Sequence, residues 1–254
     1  MGKIIAVTNQ KGGVGKTTTT VNLSACLAEA GQRVLAVDVD PQGNTTSGLG
    51  LKAGGKSAYE ALVGQADLKA CIVSTRVRQL DLLPADIRLA GAEVELVNLP
   101  NREYRLKTAL QTVSAQYDFV LIDCPPSLGL LTVNALAAAA RVLVPIQCEY
   151  YALEGVTSLM NTISRVNRTI NPSLDIEGVL LTMLDGRTNL GLQVVDQVKR
   201  RFKSKVYAVT IPRNVRLGEA PSHGLPIHLY DSRSAGAEAY RALAREVMER
   251  NGVK

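Results

Sequence analysis

Residues 9–18 read NQKGGVGKTT, and they follow the apolar run KIIAVT at 3–8. A short β-like run ending in glycines and then Lys-Thr is the setting of a phosphate-binding loop, whose common pattern is G-x-x-x-x-G-K-[ST]. Gly15, Lys16 and Thr17 fit that pattern, but its first glycine should stand at position 10, where the chain has Gln10. Beside it is a second lysine, Lys11. The backbone N–H groups of Gly13, Val14, Gly15, Lys16 and Thr17, with Thr18 behind them, can converge on phosphate oxygens at the start of a helix. Lys16 would neutralise the β- and γ-phosphates, and the Thr17 hydroxyl would ligate Mg2+.

Working outward, 254 residues with 46% hydrophobic content support a sizeable core and exclude a disordered chain. With no Trp and two Phe, that core has to be aliphatic. No apolar run approaches the ~20 residues that cross a bilayer, and the N-terminus reads as a first strand rather than a signal peptide. Cys26, Cys71, Cys124 and Cys148 show no C-x-x-C spacing and read as reduced thiols of a cytoplasmic protein.

Nearly continuous apolar runs recur at 33–40, 79–85, 118–123, 141–146, 176–184 and 206–212. Runs of that kind belong to strands covered on both faces. Helical spacing separates them at 16–30, which closes on Gly31, and at 152–169, 188–203 and 234–250. The Gly-rich stretch 50–59 reads as a loop. Strand-helix alternation predicts an α/β fold, a doubly wound, mostly parallel sheet with helices on both faces. We find no internal repeat or linker, so residues 1–254 are expected to form one domain.

Lys11 decides which kind of loop this is. It precedes the glycine pair on the outer side, where a contact within one subunit is hard to arrange. KGGVGKTT resembles the deviant Walker A motif of the ParA/MinD class of P-loop ATPases. Several other stretches are similar to the same family: VDVDPQGNTT at 37–46, DFVLIDCPPSLG at 118–129, QCEYYALEG at 147–155, LLTMLDGRTNLG at 180–191 and IPRNVRLGEAPSHGLPI at 211–227. The resemblance runs from Lys3 to about Asp231 and is close to the chromosomal ParA/Soj branch. It departs from the family pattern at Gly218 and Leu225, where the family carries Ser and Lys, which removes one cation away from the nucleotide site.

The resemblance implies ATP and Mg2+ as ligands and a homodimer with ATP sandwiched between its subunits. In it, Lys11 of one subunit and Lys16 of the other approach one triphosphate, with Gly12 and Gly13 near the dimer face. It gives Asp40 the orientation of the attacking water, with Asp38 as second choice through the metal shell. It makes Asp123 the Walker B carboxylate on Mg2+ and Pro125-Pro126 the start of a second switch. Pro212 and Asn214 become candidates for the adenine pocket. The implied reaction is slow ATP hydrolysis, with a water-orienting acid but no strong general base. The implied partner is a ParB/Spo0J-type centromere-binding protein.

Charge adds an independent signal. The net charge is +6, yet residues 187–216 hold eight cations and one anion, a net of +7. Such clustering is the footprint of a polyanion. Arg187, Lys199, Arg200, Lys203 and Arg216 are the candidate contacts to DNA, with Lys199 and Lys203 expected on one helix face. No recognition helix or stacking aromatic cluster is visible, so nonspecific double-stranded DNA is the expected ligand. Doubling the patch by dimerisation would then make DNA binding ATP-dependent. A cytoplasmic, nucleoid-associated protein follows.

Three other readings compete. A membrane-cycling MinD-type ATPase would need a C-terminal amphipathic helix with bulky apolar anchors, and AYRALAREVMERNGVK is poor in them. A redox ATPase like the nitrogenase iron protein would need paired cysteines at the dimer axis, and Cys124 has no fitting partner. A nucleotide-gated scaffold or transcriptional regulator would need no hydrolysis at all.

Overall fold

A computed structural model describes residues 2–52, 54–149, 152–186 and 189–253. Its centre is an eight-stranded sheet in the order β3-β4-β2-β5-β1-β6-β7-β8. The strands are β1 (Lys3–Val7), β2 (Val34–Asp38), β3 (Val73–Ser74), β4 (Leu80–Leu83), β5 (Phe119–Asp123), β6 (Arg141–Gln147), β7 (Asp175–Leu184) and β8 (Val206–Pro212). Every pairing is parallel except the short β3 against β4. The expected parallel sheet is therefore present, with one antiparallel edge.

The reason lies in the side chains. All five residues of β5, Phe119 to Asp123, are fully buried, as are Val34 to Asp38 of β2. Alternate residues point into two aliphatic clusters, one on each face of the sheet. Each fully buried Leu, Ile or Val contributes roughly 1.5–3 kcal/mol of transfer free energy, and no strand interior could earn that on only one face. The largest fully buried side chains are the aromatics Tyr207, Tyr240 and Phe119, and most of the rest of the core is Leu, Ile, Val and Ala.

The helix Lys16–Glu29 ends where the sequence places its stop, with Gly31 left-handed at φ 93° and its N–H donating to the Ala28 carbonyl. Helices Ala152–Thr169 and Ala235–Arg250 also match their expected spans. In the former, Val156, Leu159, Ile163 and Val166 are buried. One expectation fails in part. The stretch 50–59 is not loop throughout, because Ser57 opens a helix, Ala58–Val63, with a capping box to Glu60.

Strand order places the functional end. β1 sits between β5 and β6, and the chain winds to one side through β2 and to the other through β7 and β8. The crevice beyond the carboxyl ends of strands at such a reversal is where open α/β sheets bind ligands. The loop 8–15, the end of β2 and the end of β5 all emerge there.

Candidate functional site

The loop after β1 is fixed from below. Asn9 Nδ2 donates to the Pro145 carbonyl at 2.7 Å, and Asn9 Oδ1 accepts from the Lys11 N–H at 3.1 Å. Gly13 and Gly15 adopt φ of 75° and 91°, a region that only glycine enters without strain. Gly15 caps the helix with no side chain of its own, so the first-turn N–H groups stay open. Lys16, 7% exposed, folds inward and donates from Nζ to the Lys11 carbonyl at 3.2 Å. Burial pulls the Lys16 ammonium below its ordinary pKa, while the nearby Asp123 and Asp40 carboxylates oppose that. Lys11 itself forms no side-chain hydrogen bond or ion pair among the described residues.

Two carboxylates meet this loop. Asp123 Oδ2 accepts from Thr17 Oγ1 and from Thr45 Oγ1, both at 2.8 Å. Its other oxygen, Oδ1, is buried with no partner. A buried carboxylate oxygen without a donor is costly. Desolvation holds Asp123 above the usual carboxylate range, against the pull of the Thr45 and Thr17 hydroxyls. Asp38 is fully buried one strand away, and desolvation raises it too, with the Asp123 charge as second cause. Its oxygens are taken by the Thr46 N–H, the Thr46 hydroxyl and the Asp40 N–H. Asp40 uses Oδ1 on the Gln42 N–H at 3.0 Å and keeps Oδ2 open.

On the far side of the loop, a cleft of about 490 Å³ is lined by Gly15, Thr18, Thr182, Met183, Pro212 and Asn214, among others. The two residues expected at a base pocket thus lie together with the phosphate loop. Asn214 spends its Oδ1 on the Leu217 N–H at 3.3 Å, capping the helix Val215–Glu219, so its amide NH2 is the group left for a ligand. Thr182 joins the two halves, its hydroxyl donating to the Val14 carbonyl at 2.8 Å. Met183 holds φ 52°, a strained value for a long side chain, next to a bulge in β7. Thr45, Thr46, Thr182 and Met183 escaped the sequence reading. All four nevertheless sat in stretches already singled out, 37–46 and 180–191.

The basic surface is less uniform than its composition. Helix Asn189–Phe202 buries Val194, Val198 and Phe202 and leaves Lys199 and Arg200 exposed. The expected shared face of Lys199 and Lys203 needs correction. The helix stops at Phe202, and Lys203 turns left-handed at φ 49° to open a 3-10 turn, so the i,i+4 spacing no longer aligns the two. Arg200 pairs with Asp196 at 2.7 Å. Arg216 pairs with Glu219 at 2.8 Å and lies 3.6 Å from Asp231, so its immediate surroundings carry more negative than positive charge. Arg187 lies outside the described residues.

All four cysteines are buried, and Cys124 is entirely so, with burial pushing its thiol pKa up. Cys124 is therefore unable to present sulfur across a dimer axis. Among the described residues no helix is long and apolar enough to cross a membrane.

Comparison with known proteins gives a consistent set of relatives. A family model described as AAA domain matches residues 2–176. The sporulation initiation inhibitor protein Soj of Bacillus subtilis is 62% identical over 249 residues, covering 97% of this chain and 98% of that protein. The chromosome partitioning protein ParA of Myxococcus xanthus is 55% identical over 256 residues, covering 100% of this chain and 90% of that protein. A crystal structure titled cobyrinic acid a,c-diamide synthase from Mycobacterium smegmatis, with bound ATP analogue and magnesium, superposes with a TM-score of 0.85 at 43% identity. It covers 96% of this chain and 93% of that one.

Proposed function

Because the chain belongs to the Soj/ParA family of chromosome-partitioning P-loop ATPases, we propose that it is a nucleotide-gated switch that dimerises on ATP and carries that state to DNA. The observation that carries this reading is the unequal fate of two lysines in one loop. Lys16 turns inward and is held by the Lys11 carbonyl. Lys11 finds no acceptor among the described residues of its own chain. An unpaired cation at the rim of a phosphate cradle is placed to neutralise a phosphate bound by a second copy.

The residues fit ATP with Mg2+. Thr17 Oγ1 and the unpartnered Asp123 Oδ1 supply hard oxygen donors of the kind Mg2+ takes. The open amides behind Gly13 and Gly15 suit phosphate, and the cleft at Pro212 and Asn214 suits the base. Bound there, Mg2+ would neutralise charge on the β- and γ-phosphates. Lys16 and the partner's Lys11 add two further positive charges where the reaction builds negative charge. Asp40, with Oδ2 open, accepts a hydrogen bond from water and orients it for in-line attack. Asp38 has no oxygen to spare and instead fixes the 40–46 loop through Thr46, which supports Asp40 over Asp38 for the water. Asp40 orients but is a weak base, so slow turnover follows, as suits a switch.

Nonspecific double-stranded DNA is the proposed ligand of Arg187, Lys199, Arg200, Lys203 and Arg216. If each subunit contributes about three phosphate contacts, a dimer contributes about six, and affinity climbs steeply at moderate salt. A ParB/Spo0J-type centromere-binding protein is the proposed partner, and the nucleoid in the cytoplasm the proposed location. Size-exclusion chromatography with light scattering tests the whole reading, with ATP against ADP and with or without duplex DNA. A dimer that forms only with ATP and then binds duplex is expected. A monomer in ATP, or DNA binding indifferent to nucleotide, contradicts it.

A further inference from the structure

The loop 124–129 leaves Asp123, passes Pro125-Pro126 and enters the helix Leu130–Ala138. That helix begins on Gly129, has no side-chain cap and has no acidic residue in its first turn. Its open N–H groups therefore need an acceptor from elsewhere. Glu93 supplies it from the neighbouring helix Leu89–Leu96, its Oε1 accepting from the Leu131 N–H at 3.4 Å. A carboxylate at a helix N-terminus is favoured both by the bond and by the helix dipole. Helix Leu89–Leu96 is itself anchored by Leu89, Ala92 and Leu96, each fully buried, which holds Glu93 on a rigid support. The loop is also tied back to this helix, since Thr132 Oγ1 donates to the Ser127 carbonyl at 2.6 Å.

Gly129 explains why nothing closer can do this work. A methyl group there would come 2.0 Å from Glu93 Oε1. The φ of Gly129 is −73°, which any residue adopts, so glycine is required by the carboxylate above it and not by the backbone. The carboxylate lies at the end of a flexible side chain and would move away, leaving the fold intact.

We propose that Glu93 is a positioning residue for loop 124–129: it latches the helix that follows the loop, so that the segment next to the γ-phosphate keeps one geometry. This rests on the proposed ATPase reading, because only there does the loop stand beside a γ-phosphate. Glu93 touches no substrate and acts through Leu131 and Gly129.

The test is a double-variant cycle on the full chain. Glu93→Ala should lower kcat by about fivefold, the equivalent of one lost helix cap, with KM for ATP unchanged because the phosphate loop is untouched. Glu93→Gln keeps an acceptor oxygen and should recover most of the loss. Gly129→Ala should reproduce the Glu93→Ala defect by displacing the carboxylate, and the two combined should be no worse than either alone. Effects that multiply in the double variant, or kcat within twofold of the parent in both single variants, would overturn the latch. Hydrogen exchange at the Leu131 amide gives a reading independent of turnover: protected in the parent, fast in Glu93→Ala and in Gly129→Ala. Equal protection in all three also overturns it. A parent protein with no ATPase activity would defeat the proposed function, leaving the exchange measurement to decide the latch.

Discussion

Asp38 and Asp123 are register partners on adjacent parallel strands at the carboxyl edge of the sheet, and neither is exposed to solvent. Desolvation raises both; the Asp123 charge adds to the rise at Asp38, and the Asp40 charge adds to the rise at Asp123. A carboxyl whose folded pKa is raised holds its proton over a range where the unfolded chain, titrating near pH 4, has lost it. The folded state then binds more protons, and stability falls as pH rises through that window. We expect the melting temperature of the nucleotide-free protein to drop between pH 6 and pH 8. Mg2+ with ADP should narrow the drop, because a cation favours the ionised form. Calorimetric melts across that range check this, and a melting temperature that climbs from pH 6 to pH 8 contradicts it.

Gly12 and Gly15 separate what the chain forbids from what a partner forbids. A Cβ on Gly12 meets nothing within 4 Å, whereas Gly15 sits at φ 91° with Thr182 at 3.7 Å. Gly12→Val should therefore fold and bind ATP within a few-fold of the parent, yet fail to dimerise. Gly15→Ala should lose nucleotide affinity in the monomer, since a strained backbone of this kind costs about 1–3 kcal/mol. Isothermal titration with light scattering distinguishes them. A Gly12→Val protein that dimerises with ATP removes the case for Gly12 lying at the subunit face.

Arg216 is surrounded by Glu219 and Asp231, and Tyr230 Oη also donates to Glu219 Oε2, at 3.0 Å. Exposed pairs of this kind contribute little to stability, about 0–1 kcal/mol, but they lower the local positive potential. Glu219→Gln should thus strengthen DNA binding by the ATP form several-fold at low salt. Lys199→Ala with Lys203→Ala should weaken it and reduce the salt slope by about 2. Filter binding over a salt series reads both. Unchanged affinity in both variants would mean that DNA binds elsewhere.

Gly178 lies under the ring of Tyr207, where a Cβ would approach Cε2 to 2.4 Å. The ring cannot yield, because it is 1% exposed and the Arg250 guanidinium stacks on it at 4.2 Å. Gly178→Ala should destabilise by about 1–3 kcal/mol, the ordinary result of overpacking. Urea unfolding measures it, and a loss below about 0.5 kcal/mol, the usual size of a neutral surface change, would show that β8 can shift.

Much of this was legible because periodicity and loop chemistry are local. The seven long strands stood out as apolar runs, since a strand covered on both faces needs apolar side chains at every position. Helix Lys16–Glu29 was bracketed by its glycines. What stayed hidden had no local signature. The two-residue β3 is too short to show alternation. The helix Ala58–Val63 sat behind a Gly-rich stretch that masked its Ser57 cap. Lys199 and Lys203 looked aligned only on the assumption of an unbroken helix, and the left-handed turn at Lys203 breaks it.

The sequence by itself set out a Gly-Lys-Thr loop after an apolar run, a second lysine beside its glycines, an aspartate closing another apolar run and a basic segment, because each depends on residue type at fixed spacing. Only the tertiary structure decided which groups are spent and which are left open. Asp38 is consumed by Thr46 while Asp40 keeps an oxygen, Lys16 is drawn in while Lys11 is not, and Arg216 is neutralised by neighbours. The reason is that hydrogen-bond satisfaction and desolvation depend on what lies alongside in space. For Thr17 and Asp123 that neighbour is 106 residues away along the chain.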